Sequence, residues 1–150
     1  AGASAVVHES AVEFYEDLLG RTKATIMPDA LDRNPVKANI IAVSADEPYV
    51  IEDAARPVKI YPVVSGHTTD MVIIGLEKQE ILYSADLYIG AMARLLRMGV
   101  NMPLTGEASQ SALELNAAID ATGATFKTLV GSHDSEPVSY ADFKTYLGNE

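Results

Sequence analysis

The middle of the chain holds two apolar runs of residues. Each run would form a β-strand that is apolar on both of its faces. These runs are residues 71–76 and 81–83, and the polar segment 77–80 joins them as a tight hairpin turn. The preceding segment 58–64 alternates as a half-buried strand does. A strand with two apolar faces needs packed cover on both sides. We therefore expect one mostly antiparallel sheet that must bury both of its faces.

A helical pattern precedes this β-rich block. Ser10 begins a capping box, which predicts a helix that ends at Gly20 with Phe14 and Leu18 in its apolar stripe. His8 lies where a short strand meets this helix, and an imidazole there can hydrogen-bond to local backbone. We therefore assign His8 a structural role.

The last third of the chain mixes helix and strand patterns. Apolar residues recur at helical spacing over 108–122, residues 126–130 are strand-like, and another capping box opens a helix near Ser139. These patterns assign the chain to the α/β (α+β) class, with helices packed on one face of the sheet.

The composition is typical of a single domain that spans residues 1–150. A chain of 150 residues can form a real core, and its apolar content of 48% argues against disorder. No run approaches the roughly 18 apolar residues that cross a bilayer. A net charge of −10 repels phosphate backbones. We expect a soluble protein with neither a membrane nor a nucleic acid as its partner.

The cysteine content and the first residues bear on the origin of the chain. Cysteine is absent, which excludes disulfides and thiolate metal ligands but leaves the compartment open between cytoplasm and periplasm. The chain opens with Ala1, without a signal-peptide pattern, and its first apolar run begins at residue 5. We expect a fragment or a processed chain that begins within a fold.

Three residues that can bind a metal follow predicted strands. His67 and His133 come soon after glycines, where an imidazole can face a cleft and bind zinc or iron. Asp86 follows the strand-like run 81–84, and its two oxygens can bridge two cations. The alternatives are loop histidines and, for Asp86, a helix N-cap, which is the simpler interpretation of that residue alone. The long spacing means that the fold must assemble any such site, and we expect it at one edge of the sheet.

Two segments resemble the C-terminal half of the metallo-β-lactamase fold. One is VVSGHTTDMVIIGLEKQEILYSADLY, which is followed by a strand and GSHD. In that superfamily a Gly-His precedes a β-hairpin, an Asp ends the second strand of the hairpin, and a late Gly-x-His or similar closes the site. The other segment, AVVHESAVEFYEDLL, resembles the stretch just after the superfamily's His-x-His-x-Asp-His motif. The resemblance covers nearly the whole chain and implies half of an αββα sandwich.

The resemblance also implies a role for each candidate residue. His67 would bind a first metal, Asp86 would bridge two metals, and His133 would bind the second. The metal would be zinc, two ions in the complete fold, with iron or manganese as alternatives. The chain lacks the His-x-His-x-Asp-His motif, which supplies most of the remaining ligands and the Asp that assists the nucleophilic water. We therefore assign no catalytic residue and expect these residues alone to be inactive.

The sequence thus predicts the C-terminal part of a metal-dependent hydrolase with a small-molecule substrate. Its hydroxide would attack an ester, thioester, amide or phosphodiester, and the fold does not select among them. The expected partner is the N-terminal half of the same fold or a second copy in a homodimer. The alternatives are a non-catalytic binding or assembly module that reuses the half-fold, and one chain of a split enzyme.

Overall fold

The computed structural model describes residues 3–20, 26–34, 37–90, 106–134 and 136–148. Its strands and helices are, in chain order, β1 (Ser4–His8), α1 (Val12–Gly20), α2 (Ala30–Arg33), β2 (Asn39–Val43), β3 (Tyr49–Ile51), β4 (Val58–Pro62), β5 (Val72–Leu76), β6 (Ile81–Ala85), α3 (Gly106–Thr122), β7 (Thr128–Gly131), β8 (Val138–Ser139) and α4 (Tyr140–Tyr146). Within the described ranges, none of the helices combines the length and the apolar character that crossing a bilayer requires.

Strands β3 to β8 form the main sheet, in which they lie in chain order. Neighbouring strands are antiparallel except for β6 and β7, which run parallel. A 3₁₀ turn over Glu77–Gln79 joins β5 to β6, and Glu80 completes the reversal in the left-handed region at φ 57°. This is the hairpin expected from the two apolar runs and the polar segment between them. The mostly antiparallel sheet is therefore confirmed.

One face of the main sheet is covered by α3 and α4. Ile73, Leu82 and Leu129 belong to this face and are at most 1% exposed. Leu115 of α3 and Phe143 of α4 are fully buried in the same hydrophobic cluster. Burying an aliphatic or aromatic side chain of this size contributes about 1.5–3 kcal/mol. The core thus lies between this face and the two helices, and the expected placement of helices on one face is confirmed.

The described residues cover the opposite face of the main sheet only in part. Strands β1 and β2 pair in parallel as a separate two-stranded sheet, and β2 contacts β4, where Ile60 is buried. Elsewhere on this face Tyr83 of β6 is 37% exposed and Ile51 of β3 is 41% exposed. The sequence pattern predicted a single sheet. The structure has a second sheet in addition. The sequence pattern missed it because a long connection without a hairpin signal separates β1 from β2.

The first helix begins later than the capping-box pattern predicts. A 3₁₀ turn over Glu9–Ala11 precedes α1, and Nδ1 of His8 accepts a hydrogen bond from the Ser10 amide at 3.2 Å. His8 therefore caps this turn in a structural role, and Ser10 is not the N-cap. Phe14 and Leu18 of α1 are 62% and 46% exposed, so the apolar stripe of α1 is not buried by the rest of the described chain.

Two leucines on α3 provide a matched test of this packing. Leu115 is fully buried, whereas Leu113 is 47% exposed. We expect Leu115→Ala to lower the free energy of unfolding by about 2–5 kcal/mol, because it leaves a cavity in the core. Leu113→Ala should change it by no more than about 1 kcal/mol. Urea denaturation measures both, and equal losses would contradict the described orientation of α3.

Candidate metal centre

Three strands of the main sheet end at the same edge. Strands β4 and β6 point in one direction because each is antiparallel to β5, and β7 is parallel to β6. Their carboxyl ends therefore lie on the same side of the sheet. His67 comes after β4, Asp86 directly follows β6, and His133 comes just after β7. The topology thus brings the three residues singled out in the sequence to one edge.

The carboxylate of Asp86 lies between the two imidazoles. Nε2 of His133 is 3.4 Å from Oδ1 of Asp86, and Nε2 of His67 is 3.9 Å from Oδ2. Each histidine thus faces a different oxygen of one carboxylate. The side chains of His133, His67 and Asp86 are 63%, 46% and 40% exposed, so the group is open to solvent.

This arrangement fits the donor set of a divalent metal. Imidazole nitrogen and carboxylate oxygen are both ligands of zinc and of iron. Two ligand atoms that each lie about 2.1 Å from a tetrahedral zinc are about 3.4 Å apart. The separation of His133 from Asp86, 3.4 Å, equals this value and is also an ordinary ion-pair distance, whereas that of His67 from Asp86, 3.9 Å, is longer. Across the described ranges, no group of three or more His, Cys, Asp or Glu side chains is arranged to hold a metal by itself. The assignment of His67, Asp86 and His133 as metal ligands therefore stays a prediction.

The irregular end of β6 sets the position of Asp86. Ala85 has φ 49°, a left-handed conformation that is uncommon for a residue with a Cβ. The register of β6 against β7 shifts between Tyr83 and Ala85, and such irregularities redirect the side chains beside them. No helix begins in the described segment 86–90, so Asp86 does not cap a helix in that segment.

The loop of His133 is held by the residue that follows it. Oδ2 of Asp134 accepts a hydrogen bond from the amide of Gly90 at 2.8 Å. This carboxylate occupies the space beside Gly131, where an added Cβ would lie 2.6 Å from Oδ2 and 2.7 Å from the carbonyl oxygen of Tyr88. A glycine at position 131 is thus needed for the close approach of the loop to the strand end.

The loop of His67 is held by α3. Oε2 of Glu114 accepts hydrogen bonds from the Ser65 hydroxyl at 2.8 Å and from the Gly66 amide at 3.0 Å. The Ser65 hydroxyl oxygen in turn accepts one from the His67 amide at 3.0 Å. Hydrogen bonds from Gln110, Ser65 and Gly66 hold the pKa of Glu114 below its usual range. A charged carboxylate therefore fixes the backbone that leads into His67.

The sequence pattern does not reveal these two roles. Glu114 lies 48 residues from Gly66, and no local pattern links them. Asp134 is next to His133 in the sequence, and this position could have marked it as part of the site. Its hydrogen-bond partner Gly90 could not be inferred, because it is 44 residues away.

No protein-family model and no curated protein matches this sequence, but solved structures do. The peroxy diiron species of the chemotaxis sensor ODP superimposes with a TM-score of 0.60 at 11% identity, covering 98% of this chain and 57% of that one. A metallo-β-lactamase from Pontibacter korlensis gives a TM-score of 0.56 at 17% identity, with coverages of 99% and 58%. The flavodiiron core of Flv1 from Synechocystis gives 0.53 at 12% identity, with coverages of 95% and 36%.

These similarities define the fold. The chain has the metallo-β-lactamase fold, and its six-stranded sheet with helices on one face is half of an αββα sandwich. It spans 57% of the sensor chain and 58% of the lactamase chain, which is just over half of the length of each. At such low identities the likeness establishes the fold alone.

Two glycines test the packing beside His133. Gly131→Ala would push a Cβ into Asp134 and into backbone, whereas nothing lies within 4 Å of a Cβ at Gly20 in α1. We expect Gly131→Ala to lower the free energy of unfolding by about 1–3 kcal/mol through overpacking. Gly20→Ala should be neutral or stabilising by up to about 1 kcal/mol, since alanine is the better helix former. Urea denaturation compares them, and a neutral Gly131→Ala would contradict the close approach.

Proposed function

We propose that this chain supplies half of a metal-dependent hydrolase in which His67, Asp86 and His133 are metal ligands. The observation that carries the proposal is that two imidazoles face opposite oxygens of one carboxylate at the ends of three co-directional strands. In this scheme His67 belongs to a first metal position and His133 to a second. Asp86 serves both, because each of its oxygens has its own histidine.

The chemistry of the proposed site follows from its donors. When bound there, zinc lowers the pKa of water and so supplies a hydroxide nucleophile near neutral pH. The two imidazoles bind as neutral donors, and the carboxylate of Asp86 offsets cationic charge. Iron and manganese accept donors of the same kinds. Zinc is our first choice, and iron is the first alternative because two of the similar structures are described as diiron or flavodiiron proteins.

The proposed substrate class includes every bond that such a hydroxide can attack. An ester, a thioester, an amide or a phosphodiester each has an electrophilic centre that such a nucleophile attacks. Three ligands are too few for two metals, so the rest of the ligand set is proposed to come from the other half of the sandwich. A non-catalytic binding or assembly module is the second candidate, because one protein of this fold is described as a chemotaxis sensor.

Metal binding by the purified chain tests the ligand assignment. We expect weak zinc binding, measured by equilibrium dialysis with metal analysis, and a further loss of more than about tenfold in Asp86→Asn. Asp46→Asn is the matched control, since Asp46 is exposed and lies outside the ligand group. Equal affinities of the wild type and Asp86→Asn would contradict the assignment.

The same samples separate the enzyme from the binding module. The chain alone should hydrolyse neither a generic ester nor a generic phosphodiester, because too few ligands and no general base remain. Robust turnover by the isolated chain that disappears in Asp86→Asn would show that the half-fold is itself an enzyme. If a longer form containing the missing half binds metal but turns over no substrate, the binding module is favoured.

We also propose that the other half of the fold covers the rest of the partly covered face of the main sheet, opposite α3 and α4. Exposed apolar side chains lie on that face at Ile51 and Tyr83, and α1 exposes Phe14 and Leu18. Apolar burial contributes about 25 cal/mol per Å², so covering a face of roughly 800 Å² would be worth about 20 kcal/mol before association and ordering costs. This chain spans only 57% and 58% of two of the similar structures, which favours a second sheet from an N-terminal half over a second copy.

Association in solution tests this proposal. Because the exposed apolar surface favours a partner, we expect the isolated chain to self-associate at micromolar concentration, as measured by light scattering. Addition of a separately expressed N-terminal half should replace the self-association with a one-to-one complex. A chain that stays monomeric and does not bind the added half would contradict the proposal, and a dimer that excludes the added half would identify a second copy as the partner.

A further inference from the structure

We infer that Glu114 is a positioning residue for His67 and acts through the loop 65–67 without touching the metal. The inference rests on the proposed function, because it concerns how one of the proposed ligands is held. Its basis is the set of hydrogen bonds that joins α3 to this loop.

The loop reaches Glu114 through two donors on consecutive residues. Oε2 of Glu114 accepts from the Ser65 hydroxyl at 2.8 Å and from the Gly66 amide at 3.0 Å. The amide of His67 then donates to the Ser65 hydroxyl oxygen at 3.0 Å. The chain of contacts thus runs from the carboxylate to the backbone of the proposed ligand in two steps.

The carboxylate is itself oriented before it meets the loop. Gln110, one helical turn earlier, donates from Nε2 to Oε1 of Glu114 at 3.0 Å. This leaves Oε2 for the two loop donors. On the other side of α3, Ala112 and Leu115 are fully buried, so the helix is fixed to the core. The network therefore transmits the rigidity of the core to a surface loop.

The imidazole needs this support because little else holds it. The side chain of His67 is 46% exposed, so packing alone cannot fix its direction. Its position 3.9 Å from Oδ2 of Asp86 therefore depends on the backbone that precedes it. Outer partners that orient metal ligands typically contribute about 10- to 100-fold to metal affinity. We expect Glu114 to contribute within this range.

The experiment compares Glu114→Ala and Glu114→Gln with Asp120→Asn in the full 150-residue chain. Asp120 is the matched control because it lies on the same helix and its carboxylate accepts a hydrogen bond from Asn116 at 3.1 Å, not from the loop. Its substitution by Asn removes the same charge as Glu114→Ala. In the metal-free protein, ¹⁵N relaxation reports the order parameters of the Gly66 and His67 amides. We expect them to fall from about 0.85 to below about 0.6 in Glu114→Ala. Glu114→Gln should retain part of the order, since its amide oxygen can still accept.

Zinc affinity is the second measurement and separates positioning from a general loss of structure. Glu114→Ala should weaken binding by about 10- to 100-fold, and Asp120→Asn should leave it unchanged. In a His67→Ala background, Glu114→Ala should cause no further loss, because its effect passes through His67. An undiminished order of the loop, or an equal loss in both backgrounds, overturns the inference. If the wild type binds no zinc, the ligand assignment fails, and the order parameters alone then decide whether Glu114 holds this loop.

Discussion

The direction of β4, β6 and β7 is the constraint on which the candidate site depends. In an antiparallel meander alternate strands point the same way, which accounts for β4 and β6. The parallel pairing of β6 with β7, in which Ala85 lies opposite Gly131, adds the third. Had β7 entered in the opposite direction, its end would lie a strand length away, roughly 13 Å for four residues. The long segment that carries α3 is what permits the parallel return, since a hairpin would force an antiparallel one.

The site at this edge consists of loop residues, and loops are the more mobile parts of a fold. Two further carboxylates offset this mobility in different ways. Glu114 extends from a helix that the core fixes, whereas Asp134 belongs to the loop that it stabilises and binds the amide of Gly90. Hydrogen bonds to charged groups are stronger than neutral ones, and solvent screening reduces the contribution of those to the partly exposed Glu114. Both histidines thus stay solvent-exposed while the backbone beside them is held.

The parts of the fold that were predictable from the sequence are those with local causes. The hairpin over 71–83 was predictable because two apolar runs flank a polar turn, and both histidines were noticeable because glycines precede them near strand ends. The parallel pairing of β1 with β2 was not, because no local signal joins strands across a long connection. Glu114 was missed for the same reason, since its partner Gly66 is distant in sequence. At α1 the pattern located the helix, but the ring of His8 displaced the cap from Ser10.

The exposed apolar residues of α1 were also predicted as a stripe, and the proposed second half of the fold accounts both for their exposure and for the partly covered face of the main sheet. An αββα sandwich contains two sheets that face each other, each with helices on its outer side. The described chain holds the main sheet with α3 and α4 on one face, and β1 and β2 with α1 beside the opposite face. Two strands alone are too few to be stable in water without further packing. The candidate ligands lie at the sheet edge, where a second sheet would also bring its own loops. The proposed second half would therefore complete both the packing and the proposed ligand set, so the proposal gives the exposed apolar side chains and the small number of candidate ligands one physical explanation.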